Sequence, residues 1–294
     1  MDYFIQLVIS GLAVGALYSL IALGFVIIYK ASDILNFAHG EIVMLSAYIF
    51  YTSSAQMKLP FFASFAVTLV FSFIFGLLVE RLLLRRMIGE PVFSIIMVTL
   101  GLAIMLRSAI KMFWGPFNLS IPRYFPEDPI LLGEIVLPWA FLVMIIAAVG
   151  FFFLFFLFFR FSRKGLAMRA TANRQDIAYI MGIDVKGIFA LSWGIACLVS
   201  SVGGVLYAYI NLVNPQLYYV GLKVFPAVIL GGLDSITGAI VGGCIIGILE
   251  NLTGGYLSHV LGGGLKEVAP YVVLLLVLMI KPYGLFGTKE IERL

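Results

Sequence analysis

The side chains that could do chemistry in this sequence are few, and most stand beside or within long apolar runs. The first group is Asn36-Phe37-Ala38-His39-Gly40-Glu41, at the start of the second apolar run. Asn36 could cap a helix that begins here, and Glu41 would lie in its first turns, where the helix dipole favours an anion. His39 and Glu41 either form a hydrogen-bonded pair that holds two helices together or contact a bound solute.

Two more polar groups interrupt apolar runs later in the chain. Asp234 follows two glycines in a short polar turn that fits a discontinuous helix, and such helices often flank transport sites. Glu250 and Asn251 stand in an otherwise apolar run, so they either bridge helices or line a path. Arg107 and Lys111 are expected to extend their charged ends toward the outer membrane surface. The candidates for a translocation path are Asn36, His39, Glu41, Asp234, Glu250 and Asn251.

A metal site and a disulfide are not predicted. His39 and Glu41 would supply two ligands, whereas a metal needs more, and the other histidine, His259, is expected at a different helix end. Cys197 and Cys244 lie in apolar runs without a metal-binding spacing. We expect them to be packing thiols.

Enzymatic chemistry is not predicted either. An intramembrane hydrolase needs a nucleophile within reach of a base, and only His39 near Ser46 hints at one. The phosphate-binding pattern GxxxxGK[ST] is absent from the sequence, because GGGLK at 262–266 has neither the spacing nor the hydroxyl residue. We therefore expect no catalytic residue and no cofactor bound by this chain.

The composition of the chain indicates a membrane protein. Of 294 residues, 62% are hydrophobic and 12% are charged, whereas soluble domains average about 45–50% and about 25%. These values exclude a soluble enzyme, a disordered chain and a disulfide scaffold. Because residues 142–159 are apolar at nearly every position, they fit a membrane helix and not a barrel strand.

The apolar runs predict an all-α, polytopic transmembrane helical bundle. A span needs about 20 mostly apolar residues, and the segment 222–233 is too short for one, so we expect a broken or re-entrant helix near 222–236. The expected number of spans is eight, or nine if this segment also crosses the membrane. The predicted spans are 3–29, 38–56, 60–80, 92–112, 138–160, 188–210, 237–257 and 268–285.

The charges predict the orientation of these spans. Arg81, Arg85 and Arg86 form one basic loop, and 160–187 holds six basic and two acidic residues, a net charge of +4 that equals that of the whole chain. Basic loops are cytoplasmic, so the N-terminus is expected outside. The side of the C-terminus depends on whether 222–233 crosses. We expect one transmembrane domain, 1–294, with a cytoplasmic segment at 161–187.

Small residues recur at four-residue spacing along several spans. Such spacing lets membrane helices approach closely, and it predicts a tightly packed bundle. The pairs are Gly11 and Gly15, Gly238 and Gly242, Gly243 and Gly247, and Ser200 and Gly204.

The long basic loop contains a pattern typical of a short amphipathic helix. Ala170, Asn173, Ile177 and Met181 recur at helical spacing, and Gly182 fits the left-handed position that follows a helix end. The helix would lie on the cytoplasmic side. From the residues alone, attraction to anionic lipid and docking of a soluble partner are equally good explanations.

Three stretches carry a resemblance to a known family. The first is residues 11–48, which contains NFAHGE. The second, residues 169–184, reads RATANRQDIAYIMGID, and the third, residues 227–252, contains LGGLDSITGA. All three resemble the permeases of bacterial ABC uptake systems for branched-chain amino acids. The chain is most similar to the shorter of the two permeases in such systems. The order and spacing of the motifs extend the resemblance over essentially the whole chain.

The resemblance implies a multi-pass protein of the bacterial inner membrane, in contact with lipid and not with nucleic acid. Its partners would be a homologous second permease, two cytoplasmic ATPase subunits that bind the ATP, and a periplasmic substrate-binding protein. Segment 169–184 would then be the coupling segment that docks into the ATPase, although Arg169 replaces the glutamate that leads the broader motif. The implied coupling residues are Arg169, Ala170, Asn173, Arg174, Asp176, Met181 and Gly182.

Other functions remain open at this stage. Permeases for urea, short amides or other amino acids share these motifs. A stand-alone channel or secondary transporter would need no partner subunits, and ATP-independent uptake by the purified chain would distinguish it.

Overall fold

A computed structural model describes residues 2–87, 89–126, 128–132, 135–258 and 264–287. The described residues form eleven α-helices and one short hairpin. The helices are α1 Asp2–Ser32, α2 His39–Tyr51, α3 Phe61–Leu82, α4 Val92–Trp114, α5 Trp139–Phe161, α6 Arg163–Asn173, α7 Gln175–Ile180, α8 Val185–Ile210, α9 Tyr219–Gly231, α10 Ile236–Tyr256 and α11 Leu265–Ile280. A π-helical turn, Thr52–Gln56, extends α2, and a 3₁₀ turn, Leu84–Met87, follows α3.

The predicted all-α membrane architecture is confirmed. Six helices of the described part are long and apolar enough to cross a membrane, namely α1, α3, α4, α5, α8 and α10. The predicted spans 38–56 and 268–285 correspond to α2 with its π-helical turn and to α11, which are shorter. The short segment corresponds to α9, whose 13 residues extend about 20 Å, less than the roughly 30 Å hydrocarbon core of a bilayer.

The strands lie in the connection between α4 and α5. Strand β1, Ile130–Leu132, pairs antiparallel with β2, Ile135–Leu137, in a two-stranded sheet. This connection is rich in proline.

The chain divides into two compact units. One unit contains 1–26, 125–149 and 222–294, and the other contains 27–124 and 150–221. Helices α1, α5 and α9 each contribute to both units.

In the first unit, glycines bring α1 and α10 into backbone contact. A methyl group on Gly15 would lie 2.7 Å from Cys244 Cα, and one on Gly11 would lie 2.7 Å from Ile248 Cα. The Ser19 hydroxyl stands at the same seam, 2.8 Å from the Ile240 carbonyl oxygen that accepts its hydrogen bond. The predicted close packing at these glycines is confirmed.

In the second unit, α8 is the central helix. It packs along α3, where a methyl group on Gly76 would lie 2.5 Å from the Trp193 carbonyl oxygen. On another side it packs against α2, where a methyl group on Gly204 would lie 2.5 Å from the Val43 carbonyl oxygen. Most of α8 is buried as a result.

The two ends of the second unit have different polar contacts. At one end, Arg85 donates to the Lys186 carbonyl oxygen at 3.4 Å, which brings the two basic loops together. At the other end, the Trp114 indole donates to Thr52 Oγ1 at 2.8 Å, and the Tyr124 hydroxyl donates to the Leu59 carbonyl oxygen. The basic loops thus lie on the same side, as the charge pattern predicts.

The seam between α1 and α10 predicts that Gly15→Ala will destabilise the protein. The added methyl group overlaps the α10 backbone, which cannot give way as a side chain can, so we expect a loss of about 1–3 kcal/mol. Unfolding in mixed detergent micelles measures it. Gly101→Ala is the matched control, because no atom lies within 4 Å of the added carbon. Equal stability of the two variants would contradict the close packing of α1 against α10 at Gly15.

Candidate functional site

The start of α2 is built on a buried asparagine. Asn36 Oδ1 accepts a hydrogen bond from the Ala38 backbone N–H at 3.0 Å, and Ala38, not Asn36, is the N-cap residue. The expected capping position is therefore wrong by two residues, because the asparagine instead closes a turn that leads into the helix. Its Nδ2 atom is buried and has no hydrogen-bond partner among the described residues.

The expected pairing of His39 with Glu41 is not what the structure contains. Side chains two positions apart on a helix do not face each other, and those of His39 and Glu41 contact different helices. His39 Nε2 and Ser200 Oγ share a buried hydrogen bond of 2.7 Å that joins α2 to α8. The Glu41 carboxylate instead forms an ion pair with Arg107 on α4.

The sequence predicts that Arg107 extends toward the outer membrane surface, but in the structure its side chain turns to Glu41. Its NH2 group donates to the Glu41 carboxylate, and the guanidinium lies over the Tyr218 ring, with Cζ 3.5 Å from the ring centroid. The Glu41 side chain is 4% exposed and that of Arg107 is 32% exposed. The buried acid thus has a cation that remains accessible.

Two glycines place Tyr218 beside this ion pair. Gly40 in the first turn of α2 packs against Gly221 in the first turn of α9, where a methyl group on Gly40 would lie 3.1 Å from Gly221 Cα. Because neither residue has a side chain, the two helix starts meet directly. The residue immediately before α9 is thereby brought over Arg107.

The first unit contains a second buried acid. Glu250 on α10 accepts hydrogen bonds from the Tyr18 hydroxyl at 2.6 Å and from Lys223 Nζ at 3.2 Å. Lys266 Nζ lies 4.0 Å from the same carboxylate, and Lys223 Nζ also lies 3.7 Å from Glu267. Glu250 therefore bridges helices, one of its two predicted roles.

Asn251 and Asp234 do not join this cluster through the contacts that the structure gives. The Asn251 amide donates to the Gly247 carbonyl oxygen within its own helix, at 3.0 Å. Asp234 lies in the turn between α9 and α10, where Gly232 has φ = +107° and Ser235 Oγ caps α10 by accepting from the Gly238 N–H at 3.0 Å. The expected break in the helix is present at this turn.

The predicted cytoplasmic helix is two helices. Arg174 adopts an extended conformation, with φ = −152° and ψ = 104°, and it separates α6 from α7. As predicted, Gly182 is left-handed, with φ = +80°. The Gly182 N–H donates to the Tyr179 carbonyl oxygen, and the Ile183 N–H donates to that of Ala178, both at 3.0 Å. The expectation of a single helix is wrong because no glycine or proline marks the break.

The predicted coupling residues lie on an exposed surface. Ala170 is half-buried, and the other coupling residues are exposed: Arg169, Asn173, Arg174, Asp176, Met181 and Gly182. They accompany two large exposed apolar side chains, Tyr179 and Ile180, the latter 80% exposed. A groove of about 510 Å³ runs between α6 and α7, with Leu166, Ala170 and Ile177 among its lining residues.

Sequence reasoning missed the partners of the buried acids. Tyr18, Lys223 and Tyr218 were not singled out, and Ser200, the partner of His39, was noted only as a small residue four positions before Gly204. Lys223 could have been found, because it is the first charged residue after Lys186. No three His, Cys, Asp or Glu side chains in the described ranges are grouped to hold a metal ion. His259 and the first residues of the GGGLK stretch lie outside those ranges.

Comparison with known proteins covers nearly the whole chain. A family model described as "Branched-chain amino acid transport system / permease component" matches residues 7–280. The chain is 29% identical to the high-affinity branched-chain amino acid transport system permease protein LivH of Escherichia coli strain K12, over 99% of this chain and 98% of the relative. It is 30% identical, with the same coverage, to the corresponding permease protein BraD of Pseudomonas aeruginosa.

A relative from an archaeon is similar over a slightly smaller part of the chain. It is a probable branched-chain amino acid transport permease protein LivH of Methanocaldococcus jannaschii, which is 28% identical over 94% of this chain and 90% of the relative. The six long apolar helices of the described residues, together with these relatives, indicate a multi-pass membrane protein.

The contact between α2 and α8 predicts that Ser200→Ala will weaken the second unit. The change removes a buried hydrogen-bond partner of His39, so we expect a loss of about 1–2 kcal/mol. Unfolding in mixed micelles measures it. Ser201→Ala is the control, because the Ser201 hydroxyl donates only to the Leu198 carbonyl oxygen of its own helix, at 2.7 Å. A control as damaging as Ser200→Ala would show that the interhelical bond adds nothing.

Proposed function

Because the chain belongs to the family of permease components of branched-chain amino acid transport systems, we propose that it is a membrane-spanning subunit of an ATP-driven importer for branched-chain amino acids. The observation that carries this proposal is the match over residues 7–280, with relatives aligned over nearly their full lengths. The protein acts as a transporter subunit, and its residues bind and guide a solute without making or breaking its bonds.

The proposal includes several partners. A homologous second permease forms the translocation path together with this chain, and two cytoplasmic ATPase subunits bind ATP. A periplasmic binding protein delivers the amino acid from outside, and the proposed location of the assembly is a bacterial inner membrane. A phosphate-binding GxxxxGK[ST] pattern is absent from this sequence, in keeping with a motor on separate subunits.

The α6–α7 segment is suited to transmit the movement of the ATPase. It presents Tyr179, Ile180 and Met181 to the solvent beside Arg174 and Asp176. Apolar side chains surrounded by charges are typical of a protein interface, where the apolar residues supply affinity and the charges supply register.

The same segment is anchored to the membrane helices. Met168 and Thr171 bury one face of α6, which packs against α8, and Asp184 Oδ1 accepts from the Gly187 N–H at 3.0 Å to cap α8. A displacement of α6 and α7 by the ATPase is therefore passed to α8, the central helix of its unit. Alternating access then follows from a rigid-body shift of membrane helices.

The path itself is proposed to use the buried polar groups. A zwitterion with an apolar side chain needs a few polar contacts in a mostly apolar environment. Asn36, His39 and Glu41 are the candidates in one unit, and Asp234, Glu250 and Asn251 are the candidates in the other. His39 and Glu250 also hold helices together, so their substitution is expected to affect stability as well as transport.

Docking predicts that Arg174→Ala combined with Asp176→Ala will weaken binding of the ATPase. Both side chains are exposed on the surface that α6 and α7 present, and loss of both charges is expected to lower ATPase association and amino acid uptake at least fivefold. Copurification of tagged permease with its ATPase measures the first effect, and uptake by reconstituted vesicles measures the second.

The control for this docking test is Arg86→Ala. Arg86 is an exposed cation of the other basic loop, so it tests whether any loss of cytoplasmic charge has the same effect. If association and uptake both survive in the double variant, α7 is not the docking site.

The transport proposal itself predicts ATP-dependent uptake of leucine, isoleucine or valine by the complete complex. The permease is copurified with candidate ATPases and a second permease, reconstituted in vesicles, and supplied with loaded binding protein. Labelled leucine should accumulate only with ATP, and unlabelled valine should compete where urea and acetamide do not. Uptake by the purified chain alone would indicate a channel or secondary transporter, and competition by urea would indicate the other solute class.

A further inference from the structure

The ion pair between Glu41 and Arg107 lies well inside the predicted span of α4. Arg107 is seven residues before the end of α4 at Trp114, which is about 10 Å along the helix axis. A charged side chain at such depth costs several kcal/mol unless it faces the protein interior or a watery cavity. The pair therefore needs an explanation beyond the packing of apolar helices.

The pair is not closed off by the protein. Whereas the Glu41 side chain is 4% exposed, that of Arg107 is 32% exposed, so the cation can be reached from the surface of the subunit. A guanidinium has five N–H donors, and the structure gives one of them to Glu41. The buried Nε donor has no partner among the described residues.

The surroundings favour a planar anion at Arg107. The Tyr218 ring lies against the guanidinium, with Arg107 Cζ 3.5 Å from the ring centroid, and such a contact restricts how the guanidinium can turn. The first turns of α2 and α9 meet at Gly40 and Gly221 next to the pair, and the amino ends of helices attract negative charge. An ordered guanidinium of this kind binds a carboxylate through two parallel hydrogen bonds.

We propose that Glu41 and Arg107 are the recognition site for the zwitterionic backbone of the transported amino acid. The α-carboxylate of the solute binds Arg107 above Tyr218, and its α-ammonium binds Glu41. In the absence of solute, the two side chains neutralise each other. This inference rests on the proposed function, because it assigns the amino acid contact to one pair of residues on the path.

The pair matches a zwitterion better than other solutes. A net anion would satisfy Arg107 and leave Glu41 as an uncompensated buried charge, and a net cation would do the reverse. An uncharged solute such as urea cannot replace either ion. A molecule that carries both charges a few ångströms apart exchanges one ion pair for two, with no change in total charge.

The decisive experiment uses the double variant Glu41→Gln with Arg107→Gln in the complete reconstituted complex. Replacing both ions leaves no unpaired buried charge, so assembly and thermal stability should stay near those of the wild type. Leucine uptake at saturating loaded binding protein should nevertheless fall at least tenfold. If the double variant assembles and transports leucine at the wild-type rate, the pair is merely structural and the proposal is overturned.

A second variant keeps the test valid if the double variant fails to assemble. Arg107→Lys retains the positive charge opposite Glu41 and hence the ion pair, but it loses the planar donor group and the stacking on Tyr218. Uptake should fall at least fivefold while ATPase association is unchanged. Wild-type uptake by this variant would overturn the assignment.

The controls distinguish a failure of this recognition site from a failure of the proposed transport function. Lys111 is an exposed cation four residues after Arg107 on the same helix, and Lys111→Gln should leave leucine uptake unchanged; an equal loss would overturn the assignment to Arg107. If the wild-type complex accumulates no branched-chain amino acid, the proposed function fails. If it does so and the Arg107 variants match it, only the recognition site fails.

Discussion

Every buried carboxylate in this membrane protein must have a cation, and this requirement determines where several helices meet. Within the described part of the chain, Glu41, Glu80 and Glu250 are the buried acids. Each has a basic partner that is partly exposed: Arg107 across α2 and α4, Arg85 just beyond α3, and Lys223 across α9 and α10. An uncompensated carboxylate in such surroundings would cost several kcal/mol, so these pairs restrict the arrangement of the helices that carry them.

Local signals in the sequence were sufficient to predict the helices and their contacts at glycines. The predicted apolar segments correspond to α1 through α11 apart from α6 and α7, and the small residues Gly15 and Gly204 lie where helices pack together. The partner of Glu41 could not be predicted, because Arg107 is 66 positions away and no periodic pattern connects the two. The break at Arg174 escaped prediction for a different reason, since an extended residue without glycine or proline leaves no local signal.

The α6–α7 segment and the buried ion pair lie in the same unit, and α8 packs against α6, α7 and α2. Helix α6 packs against α8, and Ser200 of α8 forms a hydrogen bond with His39 of α2. A force applied at α6 therefore has a continuous packed route to the start of α2, where Glu41 meets its partner. Under the proposed function, coupling between a soluble motor and a recognition site in the membrane would use such a packed route.

The pairing of each buried acid with a base also has an electrical consequence. Moving one elementary charge through a membrane potential of 100 mV involves about 2.3 kcal/mol of work. The Glu41 and Arg107 pair sums to zero, as does the cluster of Glu250, Lys223, Lys266 and Glu267. Movement of these neutral groups across the membrane transfers no net charge, so the membrane voltage neither drives nor opposes it.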